Sequence, residues 1–239
     1  MYSLILIAAA VIPAVWLLVK VYQADRLEKE PVRLLLWLVV LGVISTSAAA
    51  LTEQMAARLL SSVFPQGGVL YNLILYFAVV ALSEEGFKYL FLKLKTWKNP
   101  EFNCSFDGVV YAVFLSLGFA LWENINYVLF YGFGTALARA VTAVPGHACF
   151  GVFMGVWYGA AKRYELAGCE EESRAARRKA LLIPLLLHGV YDFTATFQNE
   201  LVSIAFLVFV SWMFRTALKL VKQASAEDSP LMQQQDPEL

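Results

Sequence analysis

Residues 69–92 read VLYNLILYFAVVALSEEGFKYLFL. At 1.5 Å of rise per residue this run is long enough to cross about 30 Å of hydrocarbon. Yet Glu84, Glu85 and Lys88 sit in its second half. A charge at the centre of a bilayer costs roughly 2.5–3.5 kcal/mol even on the mildest insertion scales. A helix with three such groups persists only if they face one another, or water, inside a bundle.

The rest of the chain supplies that bundle. Of 239 residues 59% are hydrophobic and 16% charged, against roughly a quarter charged in soluble domains. This excludes a disordered chain, a coiled coil and a disulfide scaffold. The predicted class is all-α: a polytopic membrane bundle of about seven transmembrane helices over 2–21, 34–51, 69–92, 107–131, 135–161, 181–197 and 201–220. The first run has no charged region before it and no small-residue exit, so it is read as an anchor, not a cleaved signal. Residues 1–221 form a single transmembrane domain, and 222–239 are expected to be a disordered cytoplasmic tail. Segment 52–68 is read as a connector, with an amphipathic surface helix as the alternative. The 19 basic and 19 acidic residues cancel, which gives no basis for nucleic-acid binding.

Basic residues cluster in alternate loops: Arg26, Lys29 and Arg33; Lys93, Lys95 and Lys98; Lys162 to Lys179; and Arg215, Lys219 and Lys222. The opposite side has little beyond Arg58 and Arg139. The positive-inside rule then puts the N-terminus outside and the C-terminus in the cytoplasm. Cys104, Cys149 and Cys169 form no CxxC pair, and no disulfide framework is expected.

Other spans carry ionisable groups too: Glu123 in the fourth, His147 in the fifth, His188 and Asp192 in the sixth. The chain's two histidines both lie in spans. Glu84 and Lys88 are i,i+4, as are His188 and Asp192, so each pair shares a helix face. Glu85 lies about 100° round from Glu84, so one carboxylate can face a cavity while the other pairs with Lys88. Gly151, one turn after His147, admits a close backbone neighbour. Pro145-Gly146 predicts a kink just before His147.

Four spans contributing acid or imidazole to one cavity suit activation of water. A glutamate can take the proton while histidine orients water or stabilises an oxyanion. Alternatively His147, His188 and Glu123 hold one divalent metal such as zinc, since two histidines and a carboxylate form an established catalytic set. HExxH and G-x-S-x-G are both missing from the sequence. A rhodopsin-like pump needs a mid-span lysine in the last helix, and 201–214 has none. A proton-coupled transporter remains an alternative, because intramembrane Glu and His serve proton relays.

In order along the chain stand Glu84-Glu85-Gly86-Phe87-Lys88 (E-E-x-x-K), Phe119 to Glu123 (F-x-x-x-E) followed by Asn124, His147 to Gly151 (H-x-x-x-G), and His188 to Asp192 (H-x-x-x-D). This series over 69–197 resembles the PrsW family of bacterial intramembrane proteases, similar in turn to CAAX prenyl endopeptidases and bacteriocin-immunity-type proteases. In the CAAX relatives the second motif carries His where this chain has Glu123. The resemblance implies a multi-pass protein of the bacterial inner membrane. It also implies site-1 cleavage of a single-pass membrane protein such as an anti-sigma factor. Glu84, Glu85, Glu123, His147, His188 and Asp192 would be the catalytic set, with Lys88, Asn124 and Gly151 in support.

Overall fold

A computed structural model describes residues 2–197 and 199–231, with side chains from residue 5 onward. Seven helices follow one another: α1 (Tyr2–Ala24), α2 (Val32–Val63), α3 (Val69–Thr96), α4 (Asp107–Tyr131), α5 (Phe133–Leu166), α6 (Glu170–Ala195) and α7 (Glu200–Ala226). No strand occurs among the described residues. All but α6 are long and apolar enough to cross a membrane. α6 fails because it joins two unlike halves. Residues 170–180 carry Glu170, Glu171, Glu172, Arg174, Arg177, Arg178 and Lys179, and the apolar run starts only at Leu181.

The centre of the bundle is α4, whose residues 107–120 are all buried. Glycine sets how closely its neighbours approach. A Cβ on Gly42 of α2 would lie 2.2 Å from the Leu115 carbonyl oxygen, and one on Gly118 of α4 would lie 2.3 Å from that of Val39. On the other side a Cβ on Gly155 of α5 would lie 2.4 Å from Val109 Cα. Backbones this close give van der Waals contact that larger residues forbid, which drives helix association where lipid offers no hydrophobic gradient. By contrast α1 and α7 are peripheral: Trp16, Ile204, Leu207, Val208 and Trp212 are exposed apolar side chains, as lipid-facing positions should be.

Four differences from the sequence reading have local causes. Segment 52–63 is neither loop nor separate surface helix, but the last turns of α2. It contains no glycine or proline to stop the helix before Pro65. The result is a helix of 32 residues, about 48 Å long. In α5 the break falls at Thr142 (φ −122°, ψ −68°), one turn before Pro145-Gly146. A proline disturbs the turn preceding it, because its ring meets the carbonyl four residues back. In α3 residues Ile74–Ala81 form wider i→i+5 turns directly before the acidic pair.

The fourth difference is the tail. Residues 222–226 continue α7, and the chain then folds back over the loop between α3 and α4. Phe106 N donates to Asp228 Oδ1 (2.8 Å), Ser105 N to the Ser229 carbonyl (3.0 Å) and Leu231 N to that of Asn103 (2.6 Å). Residues 232–239, the rest of the expected tail, lie outside the described residues. Beneath this strap Trp97, Phe102, Tyr111 and Tyr158 pack ring against ring.

Candidate active site

The acidic pair on α3 sits where the wider turns return to ordinary helix. Its two members point differently, as adjacent helical residues must. Glu84 reaches a cavity, while Glu85 is fully buried behind it. Lys88, also fully buried, sits between them. Its Nζ donates to Glu85 Oε1 (2.8 Å) and Glu84 Oε2 (3.2 Å), and it meets His147 Nδ1 at 3.1 Å. The ammonium also lies 3.9 Å above the Phe119 ring centre, a favourable cation–π position. This gives Phe119 of the F-x-x-x-E motif a physical role.

Lysine can only donate. His147 Nδ1 must therefore accept, which places that ring's proton on Nε2. Nε2 lies 2.9 Å from Glu123 Oε2, the acceptor this tautomer requires. Glu123 is held from its other side by Arg139 of α5, with Nη2 at 2.8 Å. Both ring nitrogens of His147 are thus committed to the protein.

His188 is placed differently. Its Nδ1 lies 2.9 Å from Glu85 Oε1. Its Nε2 faces the cavity, 3.3 Å from Asp192 Oδ2 and 3.8 Å from Glu84 Oε2. The ring stacks on Phe150, with centres 4.7 Å apart and planes 20° apart. With Glu85 holding Nδ1, Nε2 is the ring nitrogen turned toward Glu84 and Asp192.

The cavity has a volume of about 390 Å³ and is walled by α2, α3, α4, α5 and α6. Glu84, Glu123, His147, His188 and Asp192 all face it. Asn124 does not: it is buried away from the cavity, donating to the Ala10 carbonyl of α1 (3.0 Å) and accepting from Arg139 Nε (3.0 Å). Gly151 lies against α4, where a Cβ would come within 3.0 Å of Ser116 Oγ and Val113 Cα. Two charged lining residues, Arg139 and Glu53, are not among the site residues expected from sequence. Arg139 was counted only as a stray charge on the basic-poor side, which was itself the available signal. Glu53 was assigned to a connector. Once α2 is known to continue, Thr46, Ala50 and Glu53 fall at i, i+4 and i+7 on one face. A larger cavity of about 970 Å³ lies among the loops at the other end, lined by Glu28, Lys98 and Lys162, and has no such convergence of carboxylate and imidazole.

A family model described as PrsW family intramembrane metalloprotease matches residues 30–217. The chain belongs to the PrsW family. It is similar to the Protease PrsW of Geobacillus kaustophilus, 33% identical over 225 residues, covering 94% of each chain. It is 35% identical over 188 residues to the Protease PrsW of Oceanobacillus iheyensis, covering 79% of this chain and 81% of that one. It is 31% identical over 213 residues to the Protease PrsW of Bacillus subtilis, covering 87% and 91%. No solved structure matches. The protein is therefore an intramembrane endopeptidase and a multi-pass protein of a bacterial cell membrane.

The family's description implies a metal. Among the described residues, one set of three acidic or imidazole ligand atoms lies mutually within 4.8 Å: Glu84, Glu85 and His147. These donors suit a divalent ion in kind. Their arrangement does not suit one, because the Lys88 ammonium bonds all three and already supplies the positive charge at their centre. The trio expected from sequence is more dispersed. The His147 Nε2 that would ligate is turned onto Glu123, and His188 turns its nitrogens onto Glu85 and Asp192.

Proposed function

We propose that this PrsW-family protease performs site-1 cleavage of single-pass membrane proteins of the anti-sigma-factor kind, using water activated by Glu84 and His188 without a metal. The observation that carries this reading is the 3.8 Å separation of Glu84 Oε2 and His188 Nε2 on one cavity wall, each braced from behind. A water between them gives its proton to Glu84 while the Nε2–H of a protonated His188, its other N–H held by Glu85, donates to the water oxygen. As the tetrahedral oxyanion forms, the protonated ring donates to it, held in orientation by Glu85 and Asp192. Glu84 then returns its proton to the leaving amine. Lys88 pairs with Glu85 and fixes the His147 tautomer. His147, Glu123 and Arg139 line the cavity beside them.

The depth of the site supports cleavage near one membrane surface. Glu123 and His188 lie eight and seven residues before the ends of their helices, about 10–12 Å at 1.5 Å per residue. Those ends belong to the basic-poor side, which the positive-inside rule puts outside the cell.

The test is incubation of the purified protein with a library of single-pass membrane proteins, with products read by mass spectrometry. Glu84→Gln is expected to lower turnover at least ~100-fold, the range lost with a general base, while the folded yield is kept. Dialysis against a chelator should leave turnover unchanged. One metal ion per chain, with activity lost on chelation and restored by that ion, would overturn the metal-free mechanism. Undiminished cleavage by Glu84→Gln would remove it as the base.

A further inference from the structure

Glu53 is not part of the mechanism above, nor of any of the four motifs, yet it lines the same cavity from α2. Its Oε1 is buried and has no hydrogen-bond partner among the described residues. The charges acting on the side chain are those of Glu123, His188, Lys88 and Asp192. A buried acceptor without a donor has lost its water and gained no bond in return, a cost that grows when it is charged. α2 would be more stable with an apolar residue at this position, so the carboxylate calls for a ligand.

The charge balance of the cavity says which kind. Five carboxylates (Glu53, Glu84, Glu85, Glu123 and Asp192) stand against two permanent cations, Lys88 and Arg139. Arg139 is committed to Glu123 and Lys88 to the acidic pair. With all five ionised, even a protonated His188 leaves a surplus of two negative charges in a site walled by helices within the membrane. A cationic group would offset that surplus and satisfy Glu53, and two sorts could supply it. A metal ion needs three or more donors converging on a point, and Glu53 belongs to no such set among the described residues. An ammonium or guanidinium on a flexible stem needs one free carboxylate and an apolar channel for its methylenes. Tyr76 and Val80 line the cavity, and Ala50, one turn before Glu53, leaves space beside it.

Building on the reading of this cavity as the peptide-binding site, we propose that Glu53 is a specificity residue that receives a lysine or arginine side chain of the substrate flanking the scissile bond. Its free oxygen takes the hydrogen bond the protein leaves unmade, and the basic side chain offsets the surplus charge. Substrates with a neutral residue at that position leave Glu53 unpaired and bind more weakly.

The probe is a fluorescent decapeptide of Ala and Ser with one central Lys, compared with the same peptide carrying acetyl-lysine, which keeps the stem and removes the charge. Binding is measured by anisotropy to the full chain in detergent, in a Glu84→Gln background so that the peptides stay intact. The Lys peptide is expected to bind at least tenfold more tightly than its acetylated form. In Glu53→Gln the gap should fall below threefold, and in Glu53→Asp it should be intermediate. The thermal midpoint of Glu53→Gln should be equal to or above that of its parent, because an unpaired carboxylate has been removed. Equal binding of the two peptides by the parent would overturn the proposal, as would a gap that survives in Glu53→Gln. A lowered midpoint in Glu53→Gln would also overturn it, by showing that the carboxylate serves the fold. Failure of the protease reading would appear separately, as lack of cleavage by the unmodified chain in the library experiment.

Discussion

Lys88 has donors and no acceptor, and that one property orders the groups around it. Its three N–H bonds have three partners, Glu84, Glu85 and His147. Lys88→Met keeps most of the volume and leaves the two buried carboxylates without the ammonium that bonds both. Breaking a buried pair in this way costs about 3–5 kcal/mol, so Lys88→Met should yield little folded protein, seen as an early unfolding midpoint in detergent. A midpoint like that of the wild type would mean the carboxylates do not depend on Lys88. The tautomer is separately measurable, because the chain has only two histidines. Nitrogen-15 spectra should show His147 with its proton on Nε2, and a proton on Nδ1 would contradict the arrangement. Spacing alone placed His188 beside Asp192, and the structure has them 3.3 Å apart. The closer partner of His188 is Glu85, at 2.9 Å on another helix. No local periodicity reveals a contact spanning 103 residues of sequence.

At the scale of elements, hydrophobic run lengths located the helices, and the errors lay at their ends. The extension of α2 hid Glu53 because polar residues in 52–63 resemble a loop when the buried face is unknown. The connection between α1 and α2 shows the opposite case, charged residues that are buried. Glu30 is 3% exposed and accepts a hydrogen bond from Tyr111 Oη (2.6 Å). Burial raises its carboxyl from 4.5 to about 7, partly offset by that bond, with Asp107, Asp25 and Glu101 also acting on it. Between these two values the folded chain holds a proton that the unfolded chain has released. Stability therefore falls as pH rises from about 4.5 through about 7. Glu30→Gln should flatten the decline over that window and raise the unfolding midpoint at pH 8, since the amide oxygen still accepts from Tyr111. A decline of unchanged slope in Glu30→Gln would assign it to other groups. The glycine contacts make a sharper test of packing. Gly118→Val has no room beside the Val39 backbone, and the separation of α2 from α4 should disrupt the cavity and abolish turnover.

For the whole molecule, the handedness of insertion decides where substrates are cut. All the basic-rich connections lie at one end of the bundle: α1 to α2, α3 to α4, α5 to α6, and the end of α7. The cavity lies nearer the other end. Loop charges predict that the basic end is cytoplasmic, because Lys and Arg resist translocation whatever the fold. The helix α6 was read as short for a related reason: its charged first half stands on the basic side, and only the half bearing His188 and Asp192 is apolar. Insertion with the basic end in the cytoplasm makes the α2–α3 turn extracellular. Gln66, in that turn, and Glu170, at the start of α6, are both exposed. Cys104 and Cys149 are buried, so a chain with Cys169→Ser has little background reactivity. In intact cells an impermeant maleimide should label Gln66→Cys and leave Glu170→Cys untouched until the cells are lysed. Labelling of Glu170→Cys in intact cells, with Gln66→Cys protected, would invert the bundle. The cavity would then open toward the cytoplasm, and extracellular domains of membrane proteins could no longer be its substrates.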